Sequence, residues 1–258
     1  VGVTRREIVL GGGAAVFGAV LEPSAQDDVG RRPGPLPFYG GAASAIRPDL
    51  LAPSCAGGTV HWSGSRAGTR VALTFDDGPD PTWTPRVLEA LAAEDVVATF
   101  FVRGDHVRDH GSVHAASVGH HEIANHTFDH PDLARLDHAA VADQIRRCSQ
   151  QVEDTYGVSP RLFRPPYGHI GGATVLAASE AGLPLVFWSA QLREASFVDH
   201  PDGLVADVVR QAHPGVVVLA HDFGPPVREL AIARLRPIIA ALKHRGYVFS
   251  TVSQLLQG

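Results

Sequence analysis

From Arg70 onward, short apolar runs alternate with longer helical stretches. The short runs, at residues 71–75, 98–102, 162–163, 185–188, 216–220 and 247–251, read as strands. The longer stretches, at 84–93, 139–156, 174–181, 204–211 and 227–243, read as helices. Strands separated by helices predict a mainly parallel sheet or an α/β barrel. In such folds ligand chemistry gathers at the C-terminal ends of the strands. The residues that close each apolar run are therefore the ones to inspect.

Upstream of Arg66 the rhythm is missing. Residues 26–53 carry Arg31-Arg32-Pro33-Gly34-Pro35-Leu36-Pro37 and Gly40-Gly41, the composition of a linker or loosely packed lead-in. Before that, Thr4-Arg5-Arg6 precedes an apolar run at 8–21, which is shorter than the roughly 20 residues that span a bilayer but suits the core of a signal peptide. Adjacent arginines at its edge resemble a twin-arginine export signal. The expected organisation is a signal at 1–25, a lead-in at 26–65 and one domain at 66–258.

Composition narrows the class. A chain of 258 residues with 45% hydrophobic and 19% charged residues is globular, neither disordered nor a multi-span membrane protein. Its net charge of -5 provides no basic field for nucleic acid. Cys55 and Cys148 have none of the paired short spacings of a zinc ribbon, and export would permit a disulfide between them. The 14 histidines are an excess that points toward metal or acid/base chemistry.

The first strand closes on Thr74-Phe75-Asp76-Asp77-Gly78-Pro79. Two adjacent carboxylates there need a cation or an arginine to compensate them. Because neighbours on an extended chain point apart, one can hold a metal while the other acts as a base. Taken alone, the run is equally an ordinary Asp-Asp-Gly-Pro turn. His126-Thr127-Phe128-Asp129-His130 follows later, with two histidines spaced to share one face of a helical turn and one metal ion. With Asp77 they make a His, His, Asp set that leaves coordination positions open.

His106, His110 and His114 have the same spacing, but Gly111-Ser112 interrupts them and no carboxylate-rich strand end accompanies them. They are read as solvated, and His120 and His121 as structural or solvent-facing. Arg164-Pro165-Pro166-Tyr167-Gly168 follows another short strand, where two prolines would fix an arginine and a backbone N–H in place. The run from Val216 ends in Leu219-Ala220-His221-Asp222 and delivers His221 to the same predicted end.

In this order the four motifs resemble the polysaccharide deacetylase family (carbohydrate esterase family 4, the NodB-homology domain), from about Arg66 to the C-terminus. The resemblance implies an α/β fold, a distorted (β/α) barrel, with a divalent metal in a surface groove. That metal is usually zinc, with Co2+, Ni2+ or Mn2+ as substitutes. It further implies Asp77, His126 and His130 as metal ligands, Asp76 as general base, and Arg164 pairing with Asp76 to orient it. The Tyr167 N–H would serve the oxyanion, with Tyr167 also at the substrate. Leu219 would line the acetyl-methyl pocket, and His221 would be the general acid. The expected partner is an acetylated polysaccharide or oligosaccharide, with no nucleic acid, no membrane span, and a monomeric enzyme.

One motif departs. The family has an Asp-Trp pair after a late strand, with another aspartate three residues earlier; here Gln191, Glu194 and Ala195 occupy those places. Glu194 would have to hold and tune His221 through one more methylene. Three readings follow: an exported N-deacetylase of peptidoglycan or a chitin-like glycan, an O-acetyl esterase of the xylan type, and a catalytically weak glycan-binding module.

Overall fold

The computed structural model describes residues 59–257. Strand β2 (Arg70–Asp76) is central, flanked in parallel by β3 (Thr99–Val102) and β7 (Val217–His221). Beyond β3 lies β4 (Glu122–Asn125), beyond β7 lies β6 (Ala190–Gln191), and β8 (Val248–Phe249) pairs with the start of β2. A separate parallel pair joins β1 (Val60–His61) to β5 (Leu185–Val186). Single parallel bridges from Phe163 to Asn125 and to Leu185 carry the pairing from β4 round to β5. The sheet thus curls into an incompletely closed, distorted α/β barrel, as the alternation of runs and helices predicts.

Helices cover the sheet between strands: α1 (Trp83–Ala93), α2 (Gly104–His110), α3 (His138–Tyr156), α4 (Gly172–Glu180), α5 (Gly203–Gln211), α6 (Glu229–His244) and the short α7 (Val252–Leu256). Helix α3 starts where Asp137 accepts a hydrogen bond from the Ala140 N–H at 2.8 Å, an N-cap that satisfies one orphan donor. The sequence does not announce β1, β4, β6, α2 or α7, which are too short or too polar to form a periodic pattern. Val60–His61, expected in the lead-in, pair with Leu185–Val186 and belong to the ordered fold. The expected signal at 1–25 and most of the lead-in lie outside the described residues, as does Cys55.

Strand alternation divides the core. Val71, Leu73 and Phe75 of β2 join Val218 and Ala220 of β7 in one cluster, while Ala72 joins Phe101, Ala124, Phe163, Val217 and Leu219 in the other. Thr74 and Asp76 fall on the face of Ala72, so the parity of β2 aims Asp76 at the second cluster's side. Cys148 is a buried thiol whose Sγ donates to the Val102 carbonyl, and burial pushes it up to about 12. No helix among the described residues is long and apolar enough to cross a membrane.

The histidines expected to be solvated divide. His110 and His106 are half-buried, but His114 is fully buried, its ring edge-on to Phe100 with centroids 4.5 Å apart and its Nδ1 3.0 Å from the Ser117 hydroxyl. His121 is also buried, whereas His120 is exposed. The extra histidines here are packing groups, because an uncharged imidazole is a compact half-apolar ring. Burial lowers His114 to about 3 and His121 to about 4. The unfolded chain therefore takes up these protons first, and the associated stability, full above about pH 6.5, is lost as the pH falls toward those values. Urea unfolding between pH 7 and 4 should show this loss, with a shallower pH slope in His114→Asn; an equal slope in the variant would exclude His114 as a source.

Candidate active site

Register assembles the centre. Asp76 pairs with Phe101 on β3 and with His221 on β7, so the base and acid named from sequence stand side by side at one end of the sheet. His126 follows β4 directly, and Arg164 follows the Phe163 bridge. All of these lie at C-terminal strand ends.

Arg164 is completely buried and fully engaged. Its Nη1 donates to Asp76 Oδ1 at 2.6 Å and to Thr74 Oγ1 at 2.8 Å, while Nε and Nη2 donate to the Val186 and Phe187 carbonyls at 3.1 and 3.0 Å. Its guanidinium carbon also lies 3.9 Å from the Phe101 ring centroid. An arginine is tolerable in a core only when paired and hydrogen-bonded in this way. One Asp76 oxygen is consequently fixed, and the other, Oδ2, faces His126 Nε2 at 3.8 Å.

Asp77 leaves the strand with φ 78°, a left-handed conformation that turns its carboxylate away from the direction of Asp76. Its Oδ1 is buried without a hydrogen-bond partner and lies 3.5 Å from His126 Nε2 and 3.1 Å from His130 Nε2. Burial alone would raise this carboxyl, but the two facing imidazoles hold it well below the usual carboxylate range. The His126–His130 segment is not the helical turn expected from its spacing. Thr127 and His130 have φ of 69° and 62°, and the Gln144 amide oxygen accepts from the Phe128 and Asp129 N–H groups at 3.0 and 3.1 Å. The rings converge because this loop is pinned, not because a helix aligns them.

The ligand atoms of Asp77, His126 and His130 lie within 4.8 Å of one another. His126 Nδ1 is 2.7 Å from the Arg164 carbonyl, which can only accept, so Nδ1 carries the proton and Nε2 keeps its lone pair toward Asp77. That tautomer, the orphaned Asp77 Oδ1 and the mixed N/O donor set fit a divalent transition metal.

Tyr167 sits in the Pro166–Gly168 turn with φ 60°; its side chain is 60% exposed and its ring meets His130 edge-on at 4.6 Å. Four residues of the centre thus hold strained positive-φ conformations, a cost that persists where surrounding structure enforces it. Leu219 is buried one alternation below His221 on the same face of β7. His221 is half-buried, and burial, followed by the nearby charge of Arg228, lowers its pKa to about 4.

Glu194, expected beside His221, makes no hydrogen bond to it. It is buried and desolvation raises its pKa, yet Glu194 Oε1 and His221 Nδ1 are each without a hydrogen-bond partner. Gln191 instead accepts from the Trp188 indole at 3.2 Å, and Ala195 is exposed. Trp188 packs beneath the Arg164–Gly168 loop, where a Cβ on Gly168 would approach it to 3.1 Å.

Sequence reasoning passed over several residues. Asp222, fully buried, accepts from the Gly78 N–H at 3.1 Å and the Thr84 hydroxyl at 2.6 Å, and burial raises it to about 7. A Cβ on Gly78 would stand 2.2 Å from that carboxylate, so only glycine lets the Asp76–Asp77 turn seat there. Asn125 braces the Thr127 N–H at 2.8 Å, and Arg228 donates to Asp77 Oδ2 at 2.7 Å. His106 is no bystander, since its ring packs edge-on against Phe223 at 4.5 Å, two residues past His221. The adjacency of Asp222 to His221 was the one available clue; the others are joined across the chain.

A curled parallel sheet with its polar centre on the C-terminal rim defines an α/β barrel of the kind in which loops carry the chemistry. Within that class this chain belongs to the polysaccharide deacetylase family: the model described as "Polysaccharide deacetylase" matches residues 63–186. A chitooligosaccharide deacetylase from Bradyrhizobium sp. (strain ANU 289) is 39% identical over 208 residues, covering 74% of this chain and 93% of that protein. A crystal structure of a peptidoglycan N-acetylglucosamine deacetylase superposes with a TM-score of 0.73 at 32% identity, covering 77% of this chain and 93% of that one. A Bacillus anthracis family pseudoenzyme superposes at 0.70 with 27% identity, over 77% of this chain and 69% of that one. The fold is therefore shared by proteins with and without catalysis, and the site residues must decide between them.

Replacing Arg164 with methionine would leave Asp76 as a buried carboxylate without its cation. The expected loss is about 3–5 kcal/mol of unfolding free energy, measured by denaturant titration. A cost below about 1 kcal/mol, the range of exposed pairs, would show that the pair is not the buried anchor described.

Proposed function

We propose that this chain is a divalent-metal-dependent deacetylase that removes acetyl groups from N-acetylglucosamine units of peptidoglycan or a chitin-like glycan. The observation that carries this reading is the convergence of Asp77, His126 and His130 beside an aspartate held by a buried arginine. Asp77, His126 and His130 would hold the ion, zinc first, with Co2+, Ni2+ or Mn2+ able to replace it. When bound, such an ion polarises the acetyl carbonyl and lowers the pKa of water.

The chain's own groups then divide the work. Asp76, with Oδ1 held by Arg164, has Oδ2 for accepting the proton of the attacking water. The Tyr167 N–H donates to the acetyl oxygen as charge develops there. Leu219 accepts the methyl group. As the new C–O bond forms and the C–N bond breaks, His221 delivers a proton to the departing sugar nitrogen. Acetate leaves and the free amine stays on the glycan.

Substrate class is supported by the two relatives named as deacetylases of chitooligosaccharide and of peptidoglycan N-acetylglucosamine. The adjacent Arg5 and Arg6 before an apolar run support export to the envelope or beyond, where such polymers lie. A second reading, O-acetyl ester hydrolysis, draws on the unpartnered Nδ1 of His221. An alkoxide leaving group is accepted more readily than an amine by a site whose acid lacks a carboxylate partner.

Acetate release from peptidoglycan fragments and chitooligosaccharides should stop with a chelator and return with zinc. Asp76→Asn should lower kcat by about 10²–10⁴, the range for losing a general base. Full activity in either condition would overturn the reading. On N-acetyl against O-acetyl substrates, His221→Ala should depress amide hydrolysis more steeply; a reversed preference in the parent protein would favour the esterase.

A further inference from the structure

The two adjacent aspartates have separate arginines. Arg164 serves Asp76 from the core, and Arg228 approaches Asp77 from the opposite side, out of the Pro226–Arg228 turn that precedes α6. The Arg228 Nη1 donates to Asp77 Oδ2 at 2.7 Å and to the Phe223 carbonyl at 2.5 Å. Gly224 lies between them with φ 132°, and a Cβ there would stand 2.5 Å from Nη1 and 2.9 Å from the guanidinium carbon. Only a glycine at 224 leaves room for the guanidinium at this place in the loop. Meanwhile Asp77 Oδ1, the oxygen that faces both histidines, has no hydrogen-bond partner.

From this division we infer that Arg228 is a positioning residue for the metal centre, which occupies Asp77 Oδ2 so that the carboxylate ligates through Oδ1 alone. The inference rests on the metal-hydrolase reading above. A carboxylate free to turn can offer both oxygens to an ion and consume a position that water and the acetyl oxygen need. A charge-assisted hydrogen bond on Oδ2 prevents this and fixes the carboxylate plane. Arg228 thereby does for the ligand what Arg164 does for the base: each leaves one oxygen of its aspartate to the reaction.

Charge alone and orientation predict opposite results. Removing a cation near the site would tighten the binding of another cation, whereas releasing Asp77 from its tether would loosen it. The zinc affinities of wild type, Arg228→Met, Arg228→Lys and Gly224→Ala can be compared by competition with a chromophoric chelator. Visible spectra of the cobalt-loaded proteins report coordination number independently of turnover, and thermal unfolding of each metal-free variant controls for folding. Expected is zinc binding about 10–100-fold weaker in Arg228→Met, the usual cost of losing a group that orients a ligand. The same direction in Gly224→Ala, which keeps the charge but displaces the guanidinium, and a cobalt spectrum shifted toward higher coordination in Arg228→Met would complete the case. Equal or tighter zinc binding in Arg228→Met with an unchanged cobalt spectrum would overturn it. Failure of the wild-type protein to bind zinc would instead overturn the metal-hydrolase reading itself.

Discussion

The buried contact between Arg164 and Asp76 is the constraint on which the rest of the centre depends. A guanidinium with no exposed surface must spend its donors on the protein, and this one spends them on β2 and on the β5 region as well as on the base. It therefore ties the central strand to the far arc of the curled sheet through Thr74, Val186 and Phe187. Its own carbonyl fixes the tautomer of His126 at 2.7 Å. One residue thus joins barrel closure, orientation of the Asp76 carboxylate and the tautomer of His126. Changing any of the three disturbs the other two.

Around that anchor the strain is distributed with a pattern. Asp77, Thr127, His130 and Tyr167 all adopt positive φ, and all lie in the loops that form the centre. Asp222 and Gln144 pay for these turns by taking up the N–H groups of Gly78, Phe128 and Asp129. None of these braces need touch substrate. Their work is to make geometry that free peptides avoid the lowest state available.

Much of this was legible in the chain because strand ends are local in sequence. Thr74–Pro79, the His126–His130 run, Arg164–Gly168 and Leu219–His221 each place their chemistry within a few residues of an apolar run. What was hidden is what depends on contact between distant segments. The histidine spacing suggested a helical turn, yet Asn125 and Gln144 pin a loop that reaches the same convergence by another backbone path. The departing motif suggested Glu194 beside His221, yet Glu194 Oε1 and His221 Nδ1 are each without a hydrogen-bond partner. His114 reads as polar in any sequence window and is a core residue only because Phe100 and Ser117 meet it there. Arg228 begins a helix-bound segment of mixed charge, and nothing in its neighbourhood announces that it crosses to Asp77.

The loss of the usual acid-tuning aspartate and the presence of Arg228 are linked through His221. Burial already opposes an imidazolium there, and the positive charge of Arg228 opposes it further. Glu194 offers no offset, being buried, its own pKa raised by desolvation, with Oε1 unbonded. In the role proposed for it, His221 would hold its proton weakly and give it up readily. Asp77, His126 and His130, by contrast, are assembled by contacts that do not pass through Glu194. On the proposed reading, metal binding and leaving-group preference are therefore separable, the first resting on Asp77, His126 and His130 and the second on His221 and its surroundings.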